Sequence, residues 1–128
     1  MVDEKDPLRS LLLDAAEIDR AALAEALTER VGIDTKTGRI VPLPGYWNLN
    51  SRQKVLSVVL AAKAVHLLQL RENEAIPTHE VVTSSGLPRG TVAPSLKDLR
   101  ERGLVSQTQD RSYYVPNARL KAAIEALG

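Results

Sequence analysis

The sequence predicts a mainly α fold with a small antiparallel β hairpin near its C-terminal end. Three observations lead there. Apolar residues recur at helical spacing in successive stretches from Leu8 to Leu127. Thr78 to Val115, THEVVTSSGLPRGTVAPSLKDLRERGLVSQTQDRSYYV, reads as helix, tight turn, helix and then two short strands around a polar tip. The 128 residues include no Phe, one Trp and three Tyr, so the core must be built from Leu, Val, Ile and Ala, which suits closely packed helices.

Asp6-Pro7 supplies an N-cap and a first-position proline, and Leu8, Leu11, Leu12 and Ala15 follow as one apolar stripe on a short helix ending near Glu17. Ile18-Asp19 predicts a second start, with Asp19 as N-cap and Ile18 stapled to Leu23. Leu23, Ala24, Leu27 and Val31 form its buried face, and Gly32 its C-terminal cap. Thr37-Gly38 marks a turn and Arg39 to Leu43 a short strand. Pro42, Pro44 and Gly45 exclude a helix there. Trp47 is expected to pack across the junction that follows.

Asn50 or Ser51 caps a helix running to about Arg71, apolar on most sides and therefore central. Its 16-residue run from Val55 to Leu70 is interrupted by Lys63 and His66. That is short of the roughly 20 apolar residues that span a membrane. After the polar loop RENEA, Thr78 caps the next helix, Val81 and Val82 face inward, and Gly86 ends it. A second helix over about 91–102 has Thr91 as N-cap and Val92, Leu96 and Leu99 inside. With Thr91 as cap, Pro94 falls where its missing amide hydrogen has no helical partner anyway. Gly103 releases the chain into a hairpin over 104–115. Asn117 caps a closing helix with Leu120, Ala123, Ile124 and Leu127 on one stripe. The Pro-rich linker divides an N-terminal helical extension, 1–47, from a domain over 48–128.

Composition narrows the function. Without Cys there is no disulfide, thiolate zinc site or Cys nucleophile. No HExxH, Gly-rich phosphate loop or Cys/His cluster occurs, and His66 and His79 read as a satisfied and a surface histidine. Asp14 and Glu17 share a helix face with nothing beside them to serve as nucleophile or oxyanion donor. The expectation is a protein without enzymatic activity, metal or cofactor. The N-terminal MVDEKDPLRS does not read as a signal peptide, so a cytoplasmic location is expected. Net charge is only +1, but residues 1–47 carry 6 basic and 9 acidic side chains, 48–77 carry 4 and 2, and 78–128 carry 7 and 5. That polarity points the C-terminal part toward an anionic partner.

The spacing Val82, Gly86, Val92 and the segment GLPRGTVAPSLKDLRERGLV with its hairpin resemble the winged helix-turn-helix superfamily of small bacterial and archaeal transcription regulators. The resemblance covers roughly residues 51–116 and is to the broad group containing the MarR, ArsR and PadR types, without selecting one of them. It implies that the second helix enters the major groove of double-stranded DNA and that the wing meets the backbone. On this sequence Ala93 and Pro94 would contact thymine methyls. Arg89, Thr91 and Ser95 would bond phosphate, and Gly90 would allow close backbone approach. Lys97 and Arg111 complete the candidate surface, with Arg111 reaching a phosphate or the minor groove from the wing tip. The outer face also carries Asp98 and Glu101 and no Asn, Gln or Arg for bidentate base readout. Surplus apolar stripes on the N-terminal helices and on 118–127 suggest a homodimer. The expectation is a homodimeric transcription regulator. A winged-helix protein-interaction module and a chromatin or plasmid-maintenance protein that binds DNA without sequence preference are the alternatives.

Overall fold

The computed structural model describes residues 15–128. The expected helix from Asp6 begins outside the described residues. The first described helix, α1 (Ala15–Leu27), runs without a break at Ile18-Asp19. Its sequence AAEIDRAALAEAL holds neither Gly nor Pro and is rich in Ala, Leu and Glu, so nothing stops it there. Leu23 and Leu27 are buried while Ala24, expected inside, is exposed.

α1 ends earlier than the periodicity suggested. The Thr28 hydroxyl donates to the Ala24 carbonyl at 2.6 Å and Glu29 adopts a left-handed φ of 67°. Val31 and Gly32 therefore leave the helix and join strand β1 (Val31–Ile33). β1 pairs antiparallel with β2 (Ile40–Pro42), Gly32 opposite Val41, around the turn containing Gly38. Pro42 ends β2, and Pro44, expected to exclude a helix, instead starts a 3-10 turn, Pro44–Asn48, in the position where a missing amide hydrogen is tolerated. Gly45 is required within it: a Cβ there would lie 2.6 Å from the Glu29 carbonyl oxygen.

The central helix, α2 (Ser51–Leu67), starts with a reciprocal capping box: the Asn50 side chain accepts from the Gln53 amide at 2.8 Å, and the Gln53 side chain accepts from the Asn50 amide at 3.0 Å. Val55 and Leu56, Val58 to Ala62 and Val65 are all buried, and α2 packs against α1 and every later helix. α2 stops at Leu67 rather than Arg71 because Gln69 turns left-handed, φ 64°. The Leu70 amide then returns to the Val65 carbonyl at 3.1 Å.

Lys63, 2% exposed, is the buried charge of this core. Its ammonium has three donors and finds three acceptors: Glu74 at 3.2 Å, the Val115 carbonyl at 3.0 Å and Asn117 Oδ1 at 2.6 Å. Asn117 is thus tied to Lys63 rather than capping its own helix, which begins as a 3-10 turn at Asn117–Arg119 and continues as α5 (Leu120–Leu127).

Over 78–114 the chain forms helix, turn, helix and hairpin, a winged-helix-like arrangement. Helix α3 (Thr78–Ser85) has Thr78 as its first residue, capped by the extended Pro77. It ends at Gly86 in the left-handed conformation, φ 73°. Helix α4 (Arg89–Glu101) buries Val92, Leu96 and Leu99 against α2 and α3. Burying each such side chain contributes about 1.5–3 kcal/mol. Strands β4 (Ser106–Gln107) and β5 (Ser112–Tyr114) form the hairpin. A further strand, β3 (Ile76–Pro77), completes a three-stranded antiparallel sheet of order β3-β5-β4. One apolar core runs from Leu23 to Leu127. Leu23 and Leu27 of α1 are buried with Leu120, Ala123 and Leu127 of the packed helix α5, so these described apolar stripes meet within one chain, while the stripe from Leu8 lies outside the described residues.

Candidate nucleic-acid interface

Pro88, extended at ψ 154°, takes the N-cap position of α4 three residues before the expected cap, Thr91. The amides of Thr91 and Val92 both reach the Pro88 carbonyl, at 2.9 and 3.0 Å. Thr91 is therefore inside the helix, not its cap, and no side chain caps this end. The leading amides, of Arg89 and Gly90, have no helical acceptor. This end presents free donors and the positive pole of the helix dipole.

The earlier start changes the reading of Pro94. It is the sixth residue of α4, so a hydrogen bond from its position to the Gly90 carbonyl is lost rather than never needed. Gly90, Ala93, Pro94 and Lys97 are all exposed, and at about 100° per residue Gly90, Pro94, Lys97 and Glu101 form the ridge opposite Val92, Leu96 and Leu99. The first half of that ridge is small and nearly uncharged. Ser95 sits on a flank, half-buried, with its hydroxyl donating to the Thr91 carbonyl at 2.8 Å.

The charges along α4 divide into paired and unpaired sets. Asp98 accepts from Arg102 at 2.9 Å and from Arg52 at the start of α2 at 3.2 Å. These two guanidinium groups, Arg102 first, hold its carboxyl below the ordinary carboxylate range. Arg100 donates to Gln107 on β4, which places this flank beside the wing. Arg89, Lys97 and Arg111 are exposed and enter no ion pair among the described residues. Asp98 is thus paired with Arg102 one turn on, a spacing visible in the sequence, and also with Arg52 46 positions away, which no local sequence signal shows.

The wing tip is compact. The Thr108 amide donates to the Ser112 carbonyl at 2.8 Å and its hydroxyl donates to Asp110 while accepting the Ser112 amide at 3.0 Å. The hydroxyl bond is the main reason that the Asp110 carboxyl lies below its ordinary value. Arg111 follows with a left-handed φ of 65° and is exposed.

Trp47 overturns its expectation. It is 58% exposed, whereas Tyr46 is fully buried with its hydroxyl donating to the Ser85 carbonyl at 2.6 Å. The rings meet edge to face at 5.0 Å, and the Lys54 ammonium lies 5.2 Å from the Trp47 ring centre. Tyr46 takes the buried place because its hydroxyl reaches an acceptor there. Trp47 borders a groove of about 520 Å³ between β2 and the end of α3.

His66, half-buried, has Nδ1 3.0 Å from the Arg71 carbonyl oxygen, and Arg71 holds Glu80 through both terminal nitrogens. Among the described residues no group of three or more His, Asp or Glu side chains is placed to hold a metal, and no helix is long and apolar enough to cross a membrane.

No protein-family model matches this sequence, and no curated protein matches it. Among solved structures the chain is similar to that of Bordetella bronchiseptica BpsR, a protein whose DNA binding is regulated by 6-hydroxynicotinic acid. The match covers 99% of this chain and 76% of that one, with 16% identity and a TM-score of 0.39. Backbone agreement this loose does not establish a shared fold.

Proposed function

We propose that this chain binds double-stranded DNA, with the N-terminal half of α4 in the major groove and the wing on the backbone. The observation that carries the reading is the start of α4. Uncapped amides, the unpaired cations Arg89 and Lys97 and the small residues Gly90, Ala93 and Pro94 share one exposed end, beside a hairpin that presents Arg111. Arg89 and the free amides suit phosphate oxygens, and the small ridge allows the helix to lie close to base edges. Ala93 and Pro94 offer apolar contact to thymine methyls, and Lys97 a point charge. Thr91 keeps its hydroxyl for phosphate, while Ser95 contributes less because its proton is committed within the helix. The finer form of the reading is a homodimeric transcription regulator in the cytoplasm, without enzymatic activity. Among the described residues, Leu68 and Leu70 just after α2 are 53% and 50% exposed and offer a second copy an apolar surface.

Fluorescence anisotropy with unrelated duplexes at about 50 mM salt tests this reading, because even non-specific binding appears there at tens of micromolar or tighter. Arg89→Ala and Arg111→Ala should each weaken binding to every duplex and reduce the salt slope by about 1. A flat titration up to tens of micromolar would sink the proposal. One observation favours a second reading, a protein-docking module: the α4 ridge offers only Lys97 against Glu101, and Trp47 is exposed near Gly86, where α3 ends. A stable hetero-complex from a chain with no duplex affinity would support it.

A further inference from the structure

A second basic feature lies at the base of the wing. A groove of about 560 Å³ is bounded by the end of α4, strand β4 and the chain entering α5. Its lining includes two guanidinium groups, Arg100 and Arg119, and no carboxylate. The two come from different elements, so their proximity is a product of the fold. Arg100 commits one nitrogen to Gln107, which orients it toward the wing and leaves the rest of its fork free to donate. Arg119 is exposed and enters no ion pair among the described residues. Its guanidinium carbon lies 3.9 Å from where a Cβ on Gly103 would sit. The left-handed turn at Gly103, φ 74°, therefore brings the end of α4 against Arg119. β4 is an edge strand, so backbone donors on its outer side also lack a sheet partner.

Helical geometry links this groove to the candidate interface. Arg89 and Arg100 are eleven residues apart, which returns them to within about 20° of the same face, about 16 Å apart along the axis. Arg89, Arg100 and Arg119 thus follow one flank of α4, the flank on which the wing stands. Asp98, by contrast, lies on the opposite flank with Arg52 and Arg102.

We propose that the groove between Arg100 and Arg119 is a second seat for the DNA backbone, taking phosphate oxygens on the wing side of α4. The inference rests on the DNA-binding reading above and extends its footprint to a residue beyond the wing. Paired guanidinium forks in a groove free of carboxylates match phosphate geometry better than any base edge. The contact therefore adds affinity and salt dependence without sequence preference.

The test uses the full chain, the Arg119→Gln and Arg119→Lys variants, and a duplex titrated across a salt series. The seat predicts that Arg119→Gln lowers the salt slope by about 1 and affinity roughly tenfold at about 50 mM salt, with Arg119→Lys retaining most of both. Thermal melts of both variants check separately for a folding defect. Wild-type binding with slope and affinity unchanged in Arg119→Gln overturns this inference and leaves the DNA-binding reading standing. A wild-type chain that leaves every duplex unbound overturns both. Inorganic phosphate binding that Arg119→Gln abolishes, with duplex binding unchanged, assigns the groove to a free anion and also overturns the seat.

Discussion

Tyr46 and Trp47 are adjacent and have opposite fates, and the difference lies in a single hydroxyl. Tyr46 reaches the Ser85 carbonyl 39 residues later and is buried, while Trp47 stays in solvent under Lys54. Burial pushes the Tyr46 phenol up to about 12, against the opposing effect of its bond to Ser85. A folded-state pKa raised above the ordinary 10 means that the folded chain holds this proton more tightly. Its contribution is complete below pH about 10 and is lost as pH rises toward about 12. Tyr46→Phe should cost about 1–3 kcal/mol near pH 8, where it leaves the Ser85 carbonyl unpaired. Urea titrations at pH 8 and pH 11 should show the gap between wild type and variant narrowing. A gap that stays constant would mean that Tyr46 titrates as in solvent. The sequence marked this aromatic pair but assigned the wrong member to the interior, because the deciding acceptor is distant in the chain. Lys63 was equally illegible: a lysine in an apolar run reads as an interruption until Glu74, Val115 and Asn117 are seen around it.

Elements were legible where periodicity is long and the terminus carries its own chemistry. α2, with Asn50 and Gln53 at its start, and α3, with Gly86 at its end, follow directly from such signals. β1 and β3 did not, because strands of three and two residues are defined by their partners rather than by alternation within them. α4 shows how a helix existed as expected while its register did not: a start at Arg89 instead of Val92 moves Pro94 into the second turn. Replacing it tests that register. Pro94→Ala restores a donor for the Gly90 carbonyl and removes the ring's clash. It should stabilise the fold by about 1–3 kcal/mol, a smaller effect than mid-helix proline because the first turn is little affected. A melt that rises by several degrees agrees. A melt that falls would show that Pro94 is held by packing and that α4 begins later.

At the scale of the whole molecule the parts form one core, with α1 closing over α5 and α2 at the centre. The candidate surface is then what this core leaves outside: the bare start of α4 and a wing. Its residues could be named from the sequence because Gly86 and the α4 periodicity orient them. Its charge balance could not, because Arg52 reaches Asp98 only in three dimensions. The result is a surface of modest charge in which Arg89, Lys97 and Arg111 remain available while their neighbours are engaged. Amide chemical shifts of the labelled chain, followed while a duplex is titrated in at about 50 mM salt, test this directly, because screening there is weak enough for backbone contacts to register. Perturbations concentrated at Arg89 to Lys97 and at Thr108 to Arg111 are the predicted result. Shifts confined to Val41, Trp47 and their surroundings, or none at saturating duplex, would contradict it.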